Sequence, residues 1–321
     1  MIDHGGNLDV AQRRFGGRPE DWIDLSTGIN RHPYPIPELP PHLWSALPSR
    51  AEIESLHGAA RQAYGTAAPV LAIAGAQAAI ELLPRLAPPG AAKILVPTYG
   101  EFAHVLRAAG WSVEGVSDFE ALAGADLAIV VNPNNPDGRH HDPQRLKALA
   151  SRVGRLVIDE SFADAVPELS LASQAGRAGL LILRSFGKFY GLAGLRLGFA
   201  LGGEADIAML AGMVGPWPVS GVAIEIGRHA LLDRTWANQT RVWLTRDAKR
   251  LDEMARNAGW ELVGGTPLFR LYETGDGARA QERLARAQIW SRVFKDGPSR
   301  LRLGLPGDET EWQRLSMALS R

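Results

Sequence analysis

The middle of the chain alternates short apolar runs with longer amphipathic segments, and this alternation constrains the fold more than any other feature. Runs of Val, Ile, Leu and Ala have the length of strands, whereas several segments between them show helical periodicity. The strand-like runs are residues 70–74, 93–97, 112–116, 127–131, 155–158 and 180–184. The helix-like segments are residues 76–87, 101–109 and 143–153. Strands that are apolar on both faces need helices on both sides, so the sequence predicts an α/β fold with a mostly parallel sheet.

The pattern changes after residue 215, where Pro216-Trp217-Pro218 interrupts the chain. Helical periodicity follows at residues 219–232, 235–258, 278–287 and 309–320, and strand-like runs lie at 260–263, 268–272, 289–294 and 300–305. This mixture predicts a smaller α+β domain. We therefore expect an N-terminal arm (1–32) that contributes to the small domain and to the site, and a large α/β domain (33–215). The interdomain helices and the small domain would make up residues 216–321.

Composition excludes several classes of partner and of chemistry. Of the 321 residues, 35 are Lys or Arg and 35 are Asp or Glu, which gives no basic footprint for nucleic acid or an anionic membrane. The absence of cysteine excludes disulfides, thiolate metal sites and a cysteine nucleophile. No signal peptide is recognisable, and the long uncharged stretches at 62–80 and 207–224 contain Gly and Pro, so we expect a cytoplasmic enzyme without a membrane span. Residues 140–142, His-His-Asp, predict a solvated loop, and we expect no metal.

The segment from Arg184 to Gly198 carries the strongest chemical signal. After a strand it reads Arg-Ser-Phe-Gly-Lys-Phe-Tyr-Gly-Leu-Ala-Gly-Leu-Arg-Leu-Gly, so Lys188 lies among apolar residues and glycines. A lysine in such a setting loses hydration, which lowers its pKa and makes it a better nucleophile. Ser185 and Arg196 offer a hydroxyl and a guanidinium to a phosphate. These features together meet the needs of a pyridoxal phosphate Schiff-base site, although a glycine-rich loop with solvated cations is the simpler alternative.

This segment resembles the cofactor-lysine signature of the fold-type-I pyridoxal-phosphate enzymes, the class I/II aminotransferase group. Three further segments match the same family in the same order, and the match spans roughly residues 75–302. They are the strand-to-helix turn at residues 74–79, the Asn-Pro-Asn-Asn-Pro-Asp-Gly turn at 132–138, and the acid-terminated strand at 156–162. The resemblance implies pyridoxal 5'-phosphate as cofactor and Lys188 as the catalytic residue.

The resemblance also implies a role for each cofactor-binding residue. The phosphate would lie at the helix start formed by Gly75, Ala76 and Gln77, where backbone N–H groups attract anions. Tyr99 would stack on the pyridine ring, Asn135 would donate to the ring hydroxyl, and Asp159 would pair with the ring nitrogen. The complete implied set is Gly75, Ala76, Gln77, Tyr99, Asn135, Asp159, Ser185, Lys188 and Arg196.

Peripheral residues bear on the reaction. Residues 4–7 (His-Gly-Gly-Asn), 23–30 and 215–220 resemble the threonine-phosphate decarboxylases of cobalamin biosynthesis, a branch of this family. Phe162 fits that branch, since many aminotransferases have a Tyr there. The resemblance implies decarboxylation of L-threonine O-3-phosphate to (R)-1-aminopropan-2-ol O-2-phosphate. The alternatives are an aminotransferase of the histidinol-phosphate type and a cofactor-binding protein that has lost catalysis. The chain has Leu47-Pro48 where relatives carry a Tyr-Pro that reaches the partner subunit, so the role of that Tyr does not transfer.

A small phosphorylated amino acid carries both a carboxylate and a phosphate, so its site requires cations. Arg292 and Arg302, on two C-terminal strands, match the family's positions for substrate anions, and the chain alone leaves open which anion each holds. His4, on the N-terminal arm, is a further candidate for the substrate phosphate, and the resemblance also implies that Asn135 contacts the substrate. Members of the family build each site with residues of a second subunit, so the resemblance implies a homodimer.

Overall fold

The computed structural model describes residues 5–320, which divide into two compact units. The large unit comprises residues 34–135 and 140–238, and the small unit comprises residues 5–33, 136–139 and 239–320. The sequence pattern instead indicated a boundary after residue 215. The structural boundary falls later because the helix Gly221–Leu232 packs along the helix Arg50–Tyr64 of the large unit.

The described residues form twelve α-helices and thirteen strands. The helices are α1 (Leu8–Phe15), α2 (His42–Ser45), α3 (Arg50–Tyr64), α4 (Ala76–Leu82), α5 (Glu101–Ala108), α6 (Pro143–Ala150), α7 (Phe186–Phe189), α8 (Glu204–Val214), α9 (Gly221–Leu232), α10 (Arg234–Asn257), α11 (Gly277–Arg286) and α12 (Glu309–Leu319). The strands are β1 (Ile23–Asp24), β2 (Val70–Ile73), β3 (Ala91–Leu95), β4 (Ser112–Val116), β5 (Leu127–Val131), β6 (Arg155–Asp159), β7 (Leu180–Ser185), β8 (Gly198–Gly202), β9 (Glu261–Thr266), β10 (Phe269–Glu273), β11 (Ile289–Trp290), β12 (Arg292–Phe294) and β13 (Gly297–Gly304).

A seven-stranded sheet in the order β2-β8-β7-β6-β5-β3-β4 forms the centre of the large unit. Strand β8 runs antiparallel to both of its neighbours, and the other strand pairs are parallel. The predicted α/β fold with a mostly parallel sheet is therefore confirmed. All six predicted strands are present with ends within two residues of those expected. Strand β8 was not predicted, because its five residues begin and end with glycine, a residue that is depleted in strands.

Helices cover the sheet on both faces, as the apolar strands require. On one face α4, α5 and α8 pack their buried side chains, such as Ile80, Phe102 and Leu210, against the sheet. On the other face α3 packs against β2, and Tyr64 meets Phe199 of β8 edge to face at 5.7 Å between ring centroids. Each buried aliphatic or aromatic side chain of this kind contributes roughly 1.5–3 kcal/mol. This two-sided core fixes the edge of the sheet from which the chemical residues emerge.

The small unit contains an antiparallel sheet in the order β12-β13-β10-β9 and a two-stranded parallel pair, β1 with β11. Helices α1, α11, α12 and most of α10 belong to it. The predicted smaller α+β domain is confirmed. Among the helices of residues 5–320, none combines the length and the apolar character that a membrane span requires.

Candidate active site

Strand register brings the ends of several strands of the large unit to one edge of the sheet. Ile73 at the end of β2 pairs with Gly198 at the start of β8, and Gly198 also pairs with Ser185 at the end of β7. Asp159 at the end of β6 pairs with Val131 of β5 and with Leu183 of β7. The carboxyl ends of parallel strands therefore converge here, which is where ligands bind in α/β sheets.

A turn with a nearby cation follows β2 at this edge. Gly75 has a φ of 80°, a region that favours glycine, and it lies immediately before the first turn of α4. A Cβ at Gly75 would lie 2.8 Å from Nη2 of Arg196, so that guanidinium lies against the start of the helix. A Cβ at Gly198 would lie 2.6 Å from the backbone N of Ala76. The backbone N–H groups of a first helical turn have no acceptor inside the helix, so with Arg196 they form a cradle suited to an anion.

Two further predicted residues meet beside this cradle. The hydroxyl of Tyr99 donates to Oε1 of Gln77 at 3.2 Å, and Nε2 of Gln77 donates to Glu81 at 3.4 Å. The Tyr99 ring meets Phe102 edge to face at 6.3 Å between centroids. The structure thus places Tyr99, Gln77 and the anion cradle in one continuous region.

Asp159 is a buried carboxylate at the end of β6, with 4% of its surface exposed. Its Oδ1 accepts from the backbone N of Ser161 at 2.9 Å and from the Ser161 hydroxyl at 2.5 Å. Burial raises the pKa of Asp159, although the hydrogen bonds from Ser161 and the positive charges of Lys188 and Arg184 lower it in part. A buried carboxylate held in this way is suited to a cationic partner, because such a partner favours its ionised form.

Two asparagine side chains hold the asparagine-rich turn after β5 in place. Asn132 is buried, donates to the Leu169 carbonyl at 3.2 Å and accepts from the backbone N of His141 at 2.9 Å. Asn134 donates to the Pro97 carbonyl at 2.8 Å. These contacts fix the backbone of the turn, and Asn135 lies half-buried at its end.

The loop with two histidines is more structured than the solvated loop that the sequence predicted. The ring of His141 lies 4.7 Å from that of Phe119, and Asp142 caps α6 by accepting from the backbone N of Gln144 at 2.7 Å. His140 is exposed, as expected. The prediction was wrong for His141 because its backbone and ring hold the asparagine-rich turn in place, a tertiary contact that local sequence does not signal.

Lys188 lies half-buried in the short helix α7, directly after β7. Its Nζ is 5.9 Å from the centre of the Phe162 ring, which is itself buried. Two residues further on, Tyr190 stacks on Phe186 at 4.3 Å and on Trp236 at 5.5 Å between ring centroids. An apolar ring therefore lies near Lys188, as expected, and the aromatic cluster that follows it in the chain includes Trp236, which the sequence did not single out.

In the small unit, Arg292 and Arg302 are directly opposite each other on the antiparallel strands β12 and β13. Arg302 is buried, and its Nη2 donates to the Ser26 carbonyl at 2.8 Å. Burial and the charge of Arg292 lower the pKa of Arg302 to about 9, although Asp24 raises it in part. Like charges directly opposite each other are destabilising, and a bound anion would relieve that repulsion. This arrangement is compatible with the anion-binding role predicted for the pair.

His4 lies outside the described residues, but Gly5 and Gly6, which follow it, lie against Ser26 of the small unit. The backbone N of Gly6 donates to Oγ of Ser26 at 2.7 Å. A Cβ at Gly5 would lie 2.5 Å from the carbonyl oxygen of Ser26, the same oxygen that accepts from Arg302. Ser26 was not singled out by the sequence, since a serine after a short strand carries no distinctive signal.

Comparisons with known proteins agree with this geometry. The model of the family described as aminotransferase class I and II matches residues 21–319. A threonine-phosphate decarboxylase from Sinorhizobium sp is 46% identical, with 100% of this chain and 98% of the relative covered. Another from Pseudomonas aeruginosa is 44% identical, with 99% and 97% covered. The structure of histidinol-phosphate aminotransferase from Sinorhizobium meliloti in complex with pyridoxal-5'-phosphate has a TM-score of 0.83 at 19% identity, covering 99% of this chain and 94% of that chain. The last likeness shows the fold.

Proposed function

The chain belongs to the class I and II aminotransferase family, and from that premise we propose that it decarboxylates L-threonine O-3-phosphate to (R)-1-aminopropan-2-ol O-2-phosphate, with pyridoxal 5'-phosphate as cofactor. The observation that carries this proposal is the identity of 46% and 44%, over essentially the whole chain, to two threonine-phosphate decarboxylases. The resemblance seen in the sequence supports a role for this reaction in cobalamin biosynthesis.

The large unit fits this cofactor. The anion cradle matches a phosphate, because a side chain at Gly75 or Gly198 would fill the space against Arg196 and the start of α4. A buried acid at Asp159 matches a cationic ring nitrogen. The residues that would hold the cofactor are Gly75, Ala76, Gln77, Ser185 and Arg196 at the phosphate, Tyr99, Asn135 and Asp159 at the ring, and Lys188 as the covalent attachment. When bound, pyridoxal phosphate withdraws electrons from Cα of an amino-acid substrate, which makes the loss of carbon dioxide feasible.

Asp159, Phe162 and Lys188 would have separate roles in the reaction. Asp159, whose Oδ1 is held by two hydrogen bonds from Ser161, would face the ring nitrogen and favour its protonated form. Phe162 places an apolar ring on one side of Lys188, 5.9 Å from its Nζ, which favours the uncharged amine there. After the carboxylate has left as carbon dioxide, its electron pair stays with Cα, and Nζ of Lys188 delivers the proton that Cα needs.

The arginine pair of the small unit supports a doubly anionic substrate. Arg292 and Arg302 would bind one of its two anions; His4 and Asn135 are further substrate contacts that the family resemblance implies. A tight arginine pair on the carboxylate that leaves would stabilise the substrate more than the transition state, which slows decarboxylation. Kinetics of an arginine variant with threonine and with threonine phosphate show whether the arginine binds the carboxylate or the phosphate. Loss of a phosphate contact weakens binding of the phosphorylated substrate only.

Carbon dioxide release tests the proposed reaction directly. Purified protein with pyridoxal phosphate is incubated with threonine phosphate, and carbon dioxide and aminopropanol phosphate are quantified with and without a keto acid. We expect release of carbon dioxide that needs no keto acid and is lost in Lys188→Ala. Conversion that requires a keto acid and releases no carbon dioxide would establish the aminotransferase alternative instead.

Exposed apolar side chains of the large unit support a homodimer. Ile36, Trp44 and Leu47 are 60%, 71% and 67% exposed in the proline-rich segment around α2, and Trp217 is 54% exposed before α9. The two segments are close, since a Cβ at Gly221 in α9 would lie 3.0 Å from the Leu43 carbonyl of α2. Large apolar groups of this kind mark an interface, and a second copy of the chain would cover them. Sedimentation should show a dimer, and Trp44→Glu should shift it toward monomer.

A further inference from the structure

The large unit contains a buried ionic network that the proposed chemistry does not use. Arg184, in β7, is 2% exposed, and the two carboxylates that it contacts are buried as well. Its Nη1 donates to Oε2 of Glu160 at 2.7 Å, and its Nη2 donates to Oδ1 of Asp164 at 2.5 Å. One guanidinium is therefore shared by two acids.

Other groups hold the acids in place. Oε1 of Glu160 accepts from the backbone N of Leu171 at 2.6 Å, and Oε2 accepts from the Ser170 hydroxyl at 2.5 Å. The guanidinium of Arg184 also lies 4.3 Å from the centre of the Tyr64 ring. Burial alone would lower the pKa of Arg184, but Asp164 and Glu160 raise it above its ordinary value, so the group is charged.

Stability alone is a poor explanation for such a network. Burying charges costs desolvation energy, and well-packed apolar replacements of buried ion pairs are often neutral or stabilising. The value of the network is geometric, because a planar guanidinium that is held at two nitrogens fixes both the distance and the orientation of its partners.

Two members of the network directly adjoin residues of the candidate cofactor site along the chain, and the third lies two residues beyond Phe162. Glu160 directly follows Asp159, and Arg184 directly precedes Ser185, which is three residues before Lys188. Asp164 lies in the single 3-10 turn 163–165 that follows Phe162. One side chain thereby ties together the three segments that carry the buried acid, the apolar ring and the lysine.

We propose that Arg184 is a positioning residue for the cofactor: its two hydrogen bonds fix the separation of Asp159 and Lys188, the two groups that would hold opposite ends of the pyridoxal ring. This inference rests on the proposed function, since it concerns the same site. It assigns a role to Glu160 and Asp164 as the partners that orient Arg184.

The test compares Arg184→Lys with a matched control, Arg155→Lys. Arg155 lies at the opposite end of β6, and its Nη2 donates at 2.6 Å to another buried acid, Asp206. Both variants keep the charge and lose the planar fork. We expect both to lose stability against urea, but only Arg184→Lys to release cofactor from the holoenzyme about 10- to 100-fold more readily. The pH midpoint of the cofactor absorption change should shift only in that variant.

The outcomes separate a positioning role from a structural one. Equal cofactor affinity and an unchanged pH midpoint in folded Arg184→Lys would overturn the proposal, as would equal changes in the Arg155→Lys control. If Arg184→Lys does not fold, Ser170→Ala decides, because it removes one donor to Glu160 and should shift the midpoint in the same direction by less. A wild-type protein that binds the cofactor but releases no carbon dioxide would overturn the proposed reaction alone, since these readouts need no turnover.

Discussion

Replacement of Gly198 by Ala probes the contact on which the anion cradle depends. The added methyl group would lie 2.6 Å from the backbone N of Ala76, 2.8 Å from the carbonyl carbon of Gly75 and 2.9 Å from the carbonyl oxygen of Arg184. All three distances are shorter than the 3.0 Å below which Cβ contacts essentially do not occur. Every neighbour is a backbone atom, so no flexible side chain can move aside. The strain must displace either β8 or the turn that would hold the cofactor phosphate.

The expected size follows from the cost of overpacking. An extra methyl group in a well-packed site costs roughly 1–3 kcal/mol. If the turn is displaced, the strain is relieved in the free protein. Phosphate binding must move the turn back and so reintroduce the strain, and the same energy therefore opposes binding. Since about 1.4 kcal/mol corresponds to a tenfold change in affinity, pyridoxal phosphate should bind to Gly198→Ala about 5- to 150-fold more weakly than to wild type.

Fluorescence titration with pyridoxal phosphate and urea denaturation measure the two consequences. Gly212→Ala is the control, because a methyl group there meets no atom within 4 Å and alanine favours its helix by about 0.5–1 kcal/mol. We expect the control to bind the cofactor like wild type and to be slightly more stable. Unchanged cofactor affinity in a folded Gly198→Ala protein would refute the link between the close approach of Gly198 to Ala76 and phosphate binding.

Three further substitutions test separate parts of the argument. Asp159→Asn should reduce carbon dioxide release about 100- to 1,000-fold. Because burial raises the pKa of Asp159, the stability of the wild type should fall as pH rises through that raised pKa. Urea denaturation at several pH values should show this fall in the wild type and not in the variant. Arg292→Gln should raise the KM for threonine phosphate about 10- to 100-fold without lowering the free energy of unfolding, since it removes repulsion with Arg302; a parallel loss of stability would contradict this. His57 accepts from the backbone N of Ala72 at 3.1 Å, and burial lowers its pKa. Wild-type stability against urea should therefore fall as pH drops below about 6.5, and this fall should be smaller in His57→Gln; an equal fall in both proteins would contradict the role of His57.

Local patterns predicted much of the large unit. The six apolar runs became strands because side chains buried on both faces of a sheet must be apolar whatever their partners are. Strand β8 escaped prediction because Gly198 and Gly202 weaken the strand signal, and its glycines serve close backbone contacts that only the folded sheet creates. The predicted boundary after residue 215 differed from the structural one because the apolar face of α9 does not indicate which helix it packs against.

The candidate site shows the same division. Lys188, Asp159 and Asn135 stand in recognisable local motifs, since each must follow a strand at the edge where ligands bind. Their assigned roles stay predictions until the variants are measured. The network of Arg184 with Glu160 and Asp164 had no such signal, because its members are spaced irregularly along the chain.

The sequence by itself indicated six of the seven strands of the central sheet, which lysine stands in an apolar, glycine-rich setting, and which chemistry that setting favours, because burial and backbone preference act over a few neighbouring residues. Only the tertiary structure decided that Gly198 lies against the start of α4, that Arg292 faces Arg302, and that one buried guanidinium joins three functional segments. Those contacts depend on strand order and register, which are set by packing between residues far apart in the chain.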